Sequence, residues 1–520
     1  MEKSMRLAST LTALALSFTL SAVPATAQNE TASDMTKKAM AAGYKALFTC
    51  SGTFVANQQL AVIEANELDG IYTDYRPLMA GLSDANIDER NRRVAVRFDR
   101  ALPPRIAQWR NGVGCSLLPI GARPNAAQYL PRFSQPRSAR KTDQSPIIGD
   151  GVTMTSEDNA LALGRLEIPV SFAFDGSTYG DGTRTSAVVI VRGGRVLAED
   201  YARGMSAEKP QRTWSVAKSL TSTIMGAAVQ DGLVGLDNTA IIKAWNEGGD
   251  PRRDITLRHV LDMASGLESG TRGSRTDRLY FGGAATNEVM QGRVLEAEPG
   301  KWFKYSNYDT LAAMLYLREA LDDDGKYLTY PYDAVLNKIG ALNTTLETDW
   351  KGDFVSSSQV WMTARDMARL GQLYLQNGMW GGEQIINPEW IEYVTTPAEA
   401  QPETSPFGYA GAFWLLGGAE GLPADTFAGL GNRGQYLVIV PSRDLVIVRR
   451  GYDVAGLDRF DVARFAADIV AAVDAADAEK AAEEAAAVAA EEEAEEAELQ
   501  NDARREARRE AVRSRVGRPE

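Results

Sequence analysis

A serine and a lysine separated by two residues form the most informative chemical pattern in this 520-residue chain. They are Ser215 and Lys218, in the run Ser-Val-Ala-Lys. On a helix, residues i and i+3 lie on one face, roughly 5–6 Å apart at Cβ, so this lysine can reach the serine hydroxyl. Burial lowers the pKa of a lysine and leaves a neutral amine that can accept the serine proton. The pattern therefore predicts a nucleophilic serine activated by lysine.

The scarcity of histidine excludes the commoner ways of activating a serine. His259 is the only histidine, so a Ser-His-Asp triad would depend on it, and a zinc site with several imidazole ligands cannot form. No G-x-S-x-G nucleophile elbow is present. His259 lies in a helical pattern with apolar neighbours, and we expect it to serve packing or hydrogen bonding. No metal and no organic cofactor is predicted.

The same Ser-x-x-Lys spacing occurs twice more, and the surrounding sequence separates the three cases. Ser138 and Lys141 lie in a basic, coil-like run without apolar periodicity. Lys209 precedes a proline, which disfavours the helical conformation needed to place it beside Ser206. Neither pair is predicted to be catalytic.

Ser215, in contrast, opens a helical pattern. Apolar residues follow at helical spacing through Val216, Leu220 and Ile224, and Asp231-Gly232 provides a glycine C-terminal cap. A serine at the first turn also has a backbone N–H without a partner inside the helix, beside the positive end of its dipole. We expect this N–H to form half of an oxyanion hole.

The first 27 residues predict a cleavable export signal. A basic start is followed by an apolar stretch from Leu7 to Val23 and by the small residues Ala25-Thr26-Ala27 before Gln28. We expect a periplasmic or secreted protein without a membrane span. Cys50 and Cys115, the only cysteines, are expected to form a disulfide in an oxidising compartment, and two separate buried thiols are the alternative.

The net charge of −13 argues against nucleic-acid or anionic-membrane partners. From Asp474 the chain is rich in alanine and glutamate and then in arginine, with no large apolar face to bury. A solvated helix or a disordered tail is expected there. We expect a monomer whose partner is a small-molecule substrate.

Two hairpins flank a region of helical patterns. The first is predicted at residues 187–201 around Gly193-Gly194, the second at residues 435–450, and a helix follows at 461–473. Strands at both ends of a helical middle predict an α+β domain whose sheet joins the two ends. The predicted organisation is a signal peptide (1–27), an N-terminal accessory region (28–135), a linker (136–160), a hydrolase domain (161–475) and a charged tail (476–520).

Several motifs occur in the order found in one family. They are Trp214-Ser215-Val216-Ala217-Lys218-Ser219, Ile255 to Leu267, Pro299-Gly300, Phe303 to Asn307, Thr363 to Gly371, and Gly431 to Gln435. From Glu167 to Val473 the chain resembles the serine β-lactamase and penicillin-binding-protein superfamily, in its class C-like branch with esterases and 6-aminohexanoate-dimer hydrolases. The resemblance implies a β-lactamase/transpeptidase-like α+β fold, with an antiparallel sheet from both ends of the domain and a helical subdomain.

The resemblance also implies roles for the second motif. Tyr305-Ser306-Asn307 matches the family's Tyr-x-Asn, which makes Tyr305 the acid/base for the leaving group. An ammonium nearby would stabilise the phenolate. A tyrosine that anchors a loop is the alternative. Asn307 is expected to orient Lys218 or to bind substrate.

The third motif departs from the family pattern. The family has Lys or His, any residue, then Gly, and the corresponding triplet here is predicted to be Asn432-Arg433-Gly434, a substrate-binding segment. The Gln435 N–H would then be the second oxyanion donor. Asn432 carries no charge for a substrate carboxylate, and Arg433 would point to the opposite face of a strand.

These expectations favour a serine hydrolase that cleaves small esters or linear amides through an acyl-enzyme. A β-lactamase or D-alanyl carboxypeptidase is the alternative within enzymes. A catalytically silent module that binds cell-wall peptides or a protein is the alternative from another class.

Overall fold

The computed structural model describes residues 34–516 except Ile71, residues 134–155, residues 270–275, Gly456 and Asp458. The predicted signal peptide and Ser138 with Lys141 lie outside these residues, as does most of the predicted linker. Its last residues, 156–160, form the start of a helix that begins at Ser156.

The N-terminal region consists of one long helix and a four-stranded antiparallel sheet. Its elements are α1 (Asp34–Phe54), α2 (Leu60–Val62), a π-helical turn (Ile63–Leu68), α3 (Arg76–Met79), β1 (Asn86–Asp88), β2 (Arg93–Val96), β3 (Arg105–Arg110), β4 (Gly114–Leu117) and a 3₁₀ turn (Pro124–Tyr129). The strands are hydrogen-bonded in the order β1-β2-β3-β4, and α1 packs on one face of their sheet. Cys50 of α1 and Cys115 of β4 form a disulfide, with their Cα atoms 6.2 Å apart.

The catalytic region contains the remaining helices and strands. The first part has α4 (Ser156–Phe174), β5 (Thr185–Arg192), β6 (Arg195–Tyr201), β7 (Gln211–Arg212), α5 (Val216–Gln230), α6 (Leu257–Leu261), α7 (Asp277–Tyr280), α8 (Thr286–Gln291), α9 (Asn307–Leu321) and α10 (Asp324–Tyr330). The second part has a π-helical turn (Pro331–Leu336), β8 (Thr345–Leu346), β9 (Val360–Met362), α11 (Ala364–Leu375), β10 (Met379–Trp380), β11 (Glu383–Gln384), α12 (Pro388–Thr395), β12 (Gly408–Ala410), β13 (Phe413–Leu415), β14 (Phe427–Gly431), β15 (Gln435–Val440), β16 (Leu445–Gly451) and α13 (Val462–Val516).

The main sheet joins the two ends of the catalytic region, as the sequence predicts. Its seven strands run β12-β13-β14-β15-β16-β5-β6, and the pairing of β16 with β5 closes the two predicted hairpins into one sheet. Strands β15 and β16 are buried along their whole length because both faces of the sheet are covered. Helices α4 and α13 pack on one face, and α5 and α11 pack on the other.

The nucleophile helix begins and ends where the sequence indicates. Helix α5 runs from Val216 to Gln230 with Asp231 as its C-cap, and Gly232 has a φ of 71° that glycine adopts without strain. Nearly all of α5 is buried against the main sheet and the helical layer. The helix therefore holds its first turn in a fixed position.

The charged tail is helical. Helix α13 continues without interruption from the packed segment to Val516, and its side chains are exposed from Ala481 to Ser514. Of the two alternatives for the tail, the structure has the solvated helix. Among the helices that the structure describes, none is both long enough and apolar enough for a bilayer.

Candidate active site

Ser215 lies at the N-cap of α5 in a strained connection. Its hydroxyl makes no capping hydrogen bond to the helix, so the oxygen is not used structurally. The preceding residue, Trp214, has a φ of 49°, an uncommon conformation for a bulky residue. Backbone strain of this kind occurs where the surrounding structure fixes a functional side chain. Here it places Ser215 at the entrance of the helix with its backbone N–H outside the helical hydrogen bonds.

Lys218 is the group that can accept the Ser215 proton. Its side chain is 1 % exposed, and Nζ lies 3.4 Å from Ser215 Oγ. Nζ also donates to Asn307 Oδ1 at 2.5 Å and to the Ser357 carbonyl at 2.9 Å. Burial lowers the pKa of Lys218 to about 7, with a smaller opposing effect from the Asp309 carboxylate. A large fraction of this amine is therefore neutral near pH 7.

Asn307 orients the lysine. Its side chain is 3 % exposed, and its carbonyl oxygen accepts from Lys218 while its amide contacts Thr276 Oγ1 at 3.3 Å. Of the two roles that the sequence left open for Asn307, the contacts support the orientation of Lys218.

Tyr305 completes the catalytic cluster. Its phenol lies near the Ser215 hydroxyl, which lowers the pKa of Tyr305 slightly, and Lys218 Nζ lies 5.0 Å from the centre of its ring. Burial raises the pKa of Tyr305 well above its usual value. Desolvation is the largest cause of this shift, and hydrogen bonding by Ser215 opposes it only in part, so the phenolate is not the favoured form at rest. Tyr305 is a phenol at neutral pH and can act as a proton donor.

Two further residues of the site, Asp309 and Ser357, belong to none of the motifs described above. Asp309 is 1 % exposed and accepts from Ser265 Oγ at 2.8 Å, and burial raises its pKa to about 7. Ser357 supplies the carbonyl that binds Lys218, and its hydroxyl is hydrogen-bonded to Tyr280. Asp309 lies two residues after Asn307 on α9, which is the only sequence signal that could have indicated it.

The N-terminal region contributes to the wall behind the nucleophile. The Arg212 guanidinium lies between the rings of Phe48 in α1 and Trp214, at 4.3 and 3.9 Å from their centres. Side chains of α1 and α5 belong to one continuous hydrophobic core. Ser51 and the Cys115 N–H both donate to the buried Glu347 carboxylate. The accessory region therefore packs directly against the elements that hold Ser215.

Part of the predicted third motif is wrong. The Arg433 guanidinium donates to the backbone carbonyls of Asp69 at 2.7 Å and Asp453 at 3.0 Å, so its charge is buried and unavailable to a substrate. A Cβ atom on Gly434 would collide with the Arg449–Asp453 ion pair, so this glycine allows structural packing and not substrate approach. Both residues lie in the turn between β14 and β15, where Arg433 contacts Glu67 and Asp69 of the N-terminal region and Gly434 lies against Arg449 and Asp453.

Strand β14, which precedes this turn, is the segment that packs closely against the start of α5. A Cβ atom on Gly429 would lie 2.8 Å from Ser219 Oγ and 3.3 Å from Val216 Cγ1, and one on Gly431 would lie 2.5 Å from the Thr213 carbonyl. Glycines allow β14 to approach the first turn of α5 this closely.

The two other residues of the predicted third motif differ in their surroundings. Asn432 is exposed, and its side chain accepts from the Arg433 N–H at 2.9 Å. Gln435 pairs with Gly431 across the hairpin, and its side chain binds Arg450 Nε at 2.6 Å. The roles of Asn432 in substrate binding and of the Gln435 N–H as an oxyanion donor stay predictions.

The remaining sequence predictions concern groups outside this cluster. His259 caps α6, with its Nδ1 accepting from the Thr256 N–H at 3.3 Å, as expected of a hydrogen-bonding residue. Lys209 donates to the Gly204 carbonyl at 2.9 Å and lies outside any helix. Within residues 34–516, apart from the gaps given above, no three or more His, Cys, Asp or Glu side chains are placed to hold a metal ion.

Comparisons with known proteins give the following similarities. A family model described as Beta-lactamase matches residues 175–450. The 6-aminohexanoate-dimer hydrolase of Paenarthrobacter ureafaciens is 27 % identical over 294 residues, which cover 51 % of this chain and 72 % of that protein. A solved family VIII carboxylesterase is 14 % identical with a TM-score of 0.48, and the match covers 62 % of this chain and 99 % of that one. A penicillin-binding-protein homologue from Caulobacter crescentus is 12 % identical with a TM-score of 0.46, and the match covers 62 % and 99 %.

The family match fits the arrangement of the main sheet, the nucleophile helix and the helical layer. It supports the predicted β-lactamase/transpeptidase-like α+β fold and hydrolytic chemistry. Because the match spans more than half of the sequence, this chain belongs to the Beta-lactamase family.

Proposed function

We propose that this protein is an exported serine hydrolase that cleaves small esters or linear amides through an acyl-enzyme on Ser215. The observation that carries the proposal is the buried Lys218 amine, 3.4 Å from Ser215 Oγ and with a pKa lowered to about 7. An ordinary lysine would be almost fully protonated at neutral pH and could not accept a proton. The similarity to the 6-aminohexanoate-dimer hydrolase of Paenarthrobacter ureafaciens supports a linear amide as one substrate class.

In the acylation step, neutral Lys218 accepts the proton of Ser215 while Oγ attacks the substrate carbonyl carbon. The carbonyl oxygen becomes an oxyanion, and the Ser215 N–H at the start of α5 donates to it. When the carbonyl reforms, the bond to the leaving oxygen or nitrogen breaks and Tyr305 donates its proton to that atom. The Lys218 ammonium then returns a proton to the Tyr305 oxygen, so that proton transfer balances within the cluster.

In the deacylation step, water replaces the leaving group. Neutral Lys218 takes the phenolic proton of Tyr305 while the Tyr305 oxygen takes a proton from this water, which attacks the acyl carbon; the Lys218 ammonium then holds the proton that returns to the serine. Collapse of the second oxyanion breaks the bond to Ser215 Oγ, and the serine recovers its proton as the acid product leaves.

The substrate class follows from the charge and the aromatic rings around the site. The Arg433 guanidinium is hydrogen-bonded to backbone carbonyls and the Asn432 side chain is neutral. The β14–β15 turn therefore has no positive charge available to bind a substrate carboxylate. Trp414 stacks on Tyr305 with ring centres 5.7 Å apart, and Tyr409 contacts both rings. An uncharged acyl group with an aliphatic or aromatic leaving group suits these surroundings.

Intact-mass spectrometry after mixing with a p-nitrophenyl ester tests the proposal. A transient mass increase equal to the acyl group, located on the peptide containing Ser215, is expected, and Ser215→Ala should show neither the adduct nor turnover. Preferential acylation by a penicillin would favour the β-lactamase or D-alanyl carboxypeptidase alternative. No adduct with any ester, amide or β-lactam would favour the silent binding module and refute the proposal.

Export is a separate part of the proposal and rests on the predicted signal before Gln28. Expression of the full chain in a Gram-negative host, followed by osmotic shock and N-terminal sequencing, tests it. A periplasmic product that begins at Gln28 is expected. A cytoplasmic product that retains Met1 would contradict export and leave the catalytic proposal unaffected.

A further inference from the structure

A concentration of positive charge marks the N-terminal region of this acidic protein. Residues 90–132 contain nine arginines and a single acidic residue, Asp99, whereas the whole chain has a net charge of −13. Arg105 is buried against backbone carbonyls, but the other eight are exposed or half-buried. This excess of guanidinium groups on one surface is not explained by the catalytic site.

Part of this charge lines a pocket of about 380 Å³. The pocket lies between strands β2 and β3 and the turn that follows β4. Arg93, Gln108 and Arg110 line it from the strands, and Asn125, Gln128 and Arg132 line it from the turn and the residues after it. Arg93 pairs with Gln108 across the strands, and Gln108 and Arg110 are two residues apart, so the three share one face of the sheet. That face points away from α1, which packs on the other side.

The strand side chains are held in place by their own contacts. Arg93 Nε donates to Gln108 Oε1 at 2.9 Å, and the Gln108 amide donates to the Asn91 carbonyl at 2.8 Å. Arg110 Nη1 donates to the Pro131 carbonyl at 2.9 Å. The turn itself is fixed by a small apolar cluster of Ile106, Leu118 and Leu130. Arg110 Nη2 also donates to the side chains of Ser116 and Thr348. The guanidinium groups of Arg93 and Arg110 are therefore positioned before any ligand arrives.

The charge of these groups is only partly offset by carboxylates, from Asp349 and Glu347 near Arg110 and from Asp88 near Arg93, none of which lines the pocket. No carboxylate lines the pocket, and Arg93, Arg110 and Arg132 form no ion pair with an acidic side chain of the described residues. Asp88, opposite Arg93 in the sheet, is instead held by the Asn91 N–H and side-chain amide at 3.0 and 2.7 Å. Three arginine side chains therefore line one pocket, and a bound anion would reduce the repulsion between their positive charges.

We propose that this pocket is a second binding site, for a small molecule bearing phosphate or carboxylate groups. Guanidinium forks bind planar or tetrahedral oxyanions with paired, charge-assisted hydrogen bonds. The volume falls in the range of small-molecule sites, roughly 300–1,000 Å³. None of the lining residues belongs to the Ser215 cluster, so the site is independent of hydrolysis.

Isothermal titration calorimetry on the full mature chain, with inorganic pyrophosphate and with citrate as probes, tests the proposal. The pocket variant is Arg93→Gln with Arg132→Gln. The matched control is Arg97→Gln with Arg100→Gln, which removes the same charge from exposed positions of the same region that do not line the pocket. We expect binding of one anion per chain, with affinity reduced roughly tenfold or more in the pocket variant and less than about twofold in the control.

The two probes distinguish the ligand classes. Binding of pyrophosphate alone assigns phosphate, binding of citrate alone assigns carboxylate, and binding of both with the same loss in the pocket variant assigns a general oxyanion site. Equal loss in the pocket and control variants overturns the proposal, because binding would then be diffuse attraction, and so does the absence of binding by the wild-type chain. Ester hydrolysis and thermal unfolding of both variants should match the wild type, which shows that they are folded.

Discussion

Replacing Lys218 by arginine separates its role as a base from its role as a positive charge. A guanidinium keeps the charge and the donors of the lysine but cannot lose a proton at accessible pH. If Lys218 accepts the serine proton, Lys218→Arg should be as inactive as Lys218→Ala. If the lysine only supplies positive charge, the arginine variant should retain much of the activity.

The size of the effect follows from the burial of Lys218. With a pKa of about 7, roughly half of this amine is neutral at pH 7, whereas a lysine at 10.5 would be neutral in about one molecule in 3,000. Loss of a positioned general base costs typically about 10²–10⁴-fold in rate. We therefore expect kcat/KM for a p-nitrophenyl ester to fall by about 10³-fold or more in both variants.

The pH dependence of the wild-type enzyme gives the same information without mutation. Because the neutral amine is the active form, kcat/KM should rise with pH and level off above pH 7, and it should be about 50-fold lower at pH 5 than at pH 7. The assay is ester hydrolysis from pH 5 to 9 with correction for spontaneous hydrolysis, and circular dichroism of each variant is the folding control. A flat profile over this range, or a Lys218→Arg variant with wild-type activity, would refute the assignment of Lys218 as the base.

Three further predictions concern the neighbours of Lys218. Tyr305→Phe should lower kcat by about 10²–10⁴-fold, and the double variant with Lys218→Ala should be little worse than either single variant, because the groups act as a unit; losses that multiply in steady-state assays would argue against a shared cluster. Asp309→Asn removes a negative charge that raises the pKa of Lys218, so the acid limb of the kcat/KM profile should move to lower pH, and a move to higher pH would contradict this electrostatic link. Wild-type kcat/KM should be far higher for a short acyl ester than for nitrocefin, and Asn432→Lys should narrow the difference, because a charge-assisted hydrogen bond to the nitrocefin carboxylate is about twice as strong as a neutral one; a wild-type preference for nitrocefin would show that another cation binds the carboxylate.

The nucleophile helix and the main sheet could be predicted because their local patterns agree with their tertiary roles. Helix α5 combines helical apolar spacing with a glycine cap, and both predicted hairpins have β-rich strands separated by turn residues. The Ser-x-x-Lys and Tyr-x-Asn motifs each lie within one element or at its start. Each motif can be recognised because its residues are close in the sequence, whereas the contacts of Tyr305 and Asn307 with the α5 residues depend on tertiary packing.

The sequence did not predict features whose positions depend on contacts between distant parts of the chain. Asn432, Arg433 and Gly434 form the turn between β14 and β15. The amino-acid composition of such a short turn does not distinguish it from the end of a strand. The sequence pattern places Arg433 in the predicted substrate-binding segment. In the structure its guanidinium binds the carbonyls of Glu67 and Asp69, which lie more than 350 residues earlier in the chain. The contact of Phe48 with Arg212 has the same origin, since nothing in α1 indicates which surface it covers.

The pKa of Tyr305 illustrates a further limit of sequence reasoning. A motif places a phenol beside an ammonium and predicts that the phenolate is stabilised. The sign of the net effect depends on how deeply both groups are buried, and only the structure shows that desolvation dominates for Tyr305.

Labelling with a fluorophosphonate probe tests the central claim most directly, because such probes react with activated serines and not with ordinary ones. We expect a single covalent adduct on Ser215 in the wild-type protein. Ser215→Ala should not be labelled, and labelling of Lys218→Ala should be strongly slowed. Prior incubation with a slowly hydrolysed ester should protect the wild-type protein from the probe. Labelling at a different serine, or unchanged labelling of Lys218→Ala, would contradict the claim that a buried lysine activates Ser215.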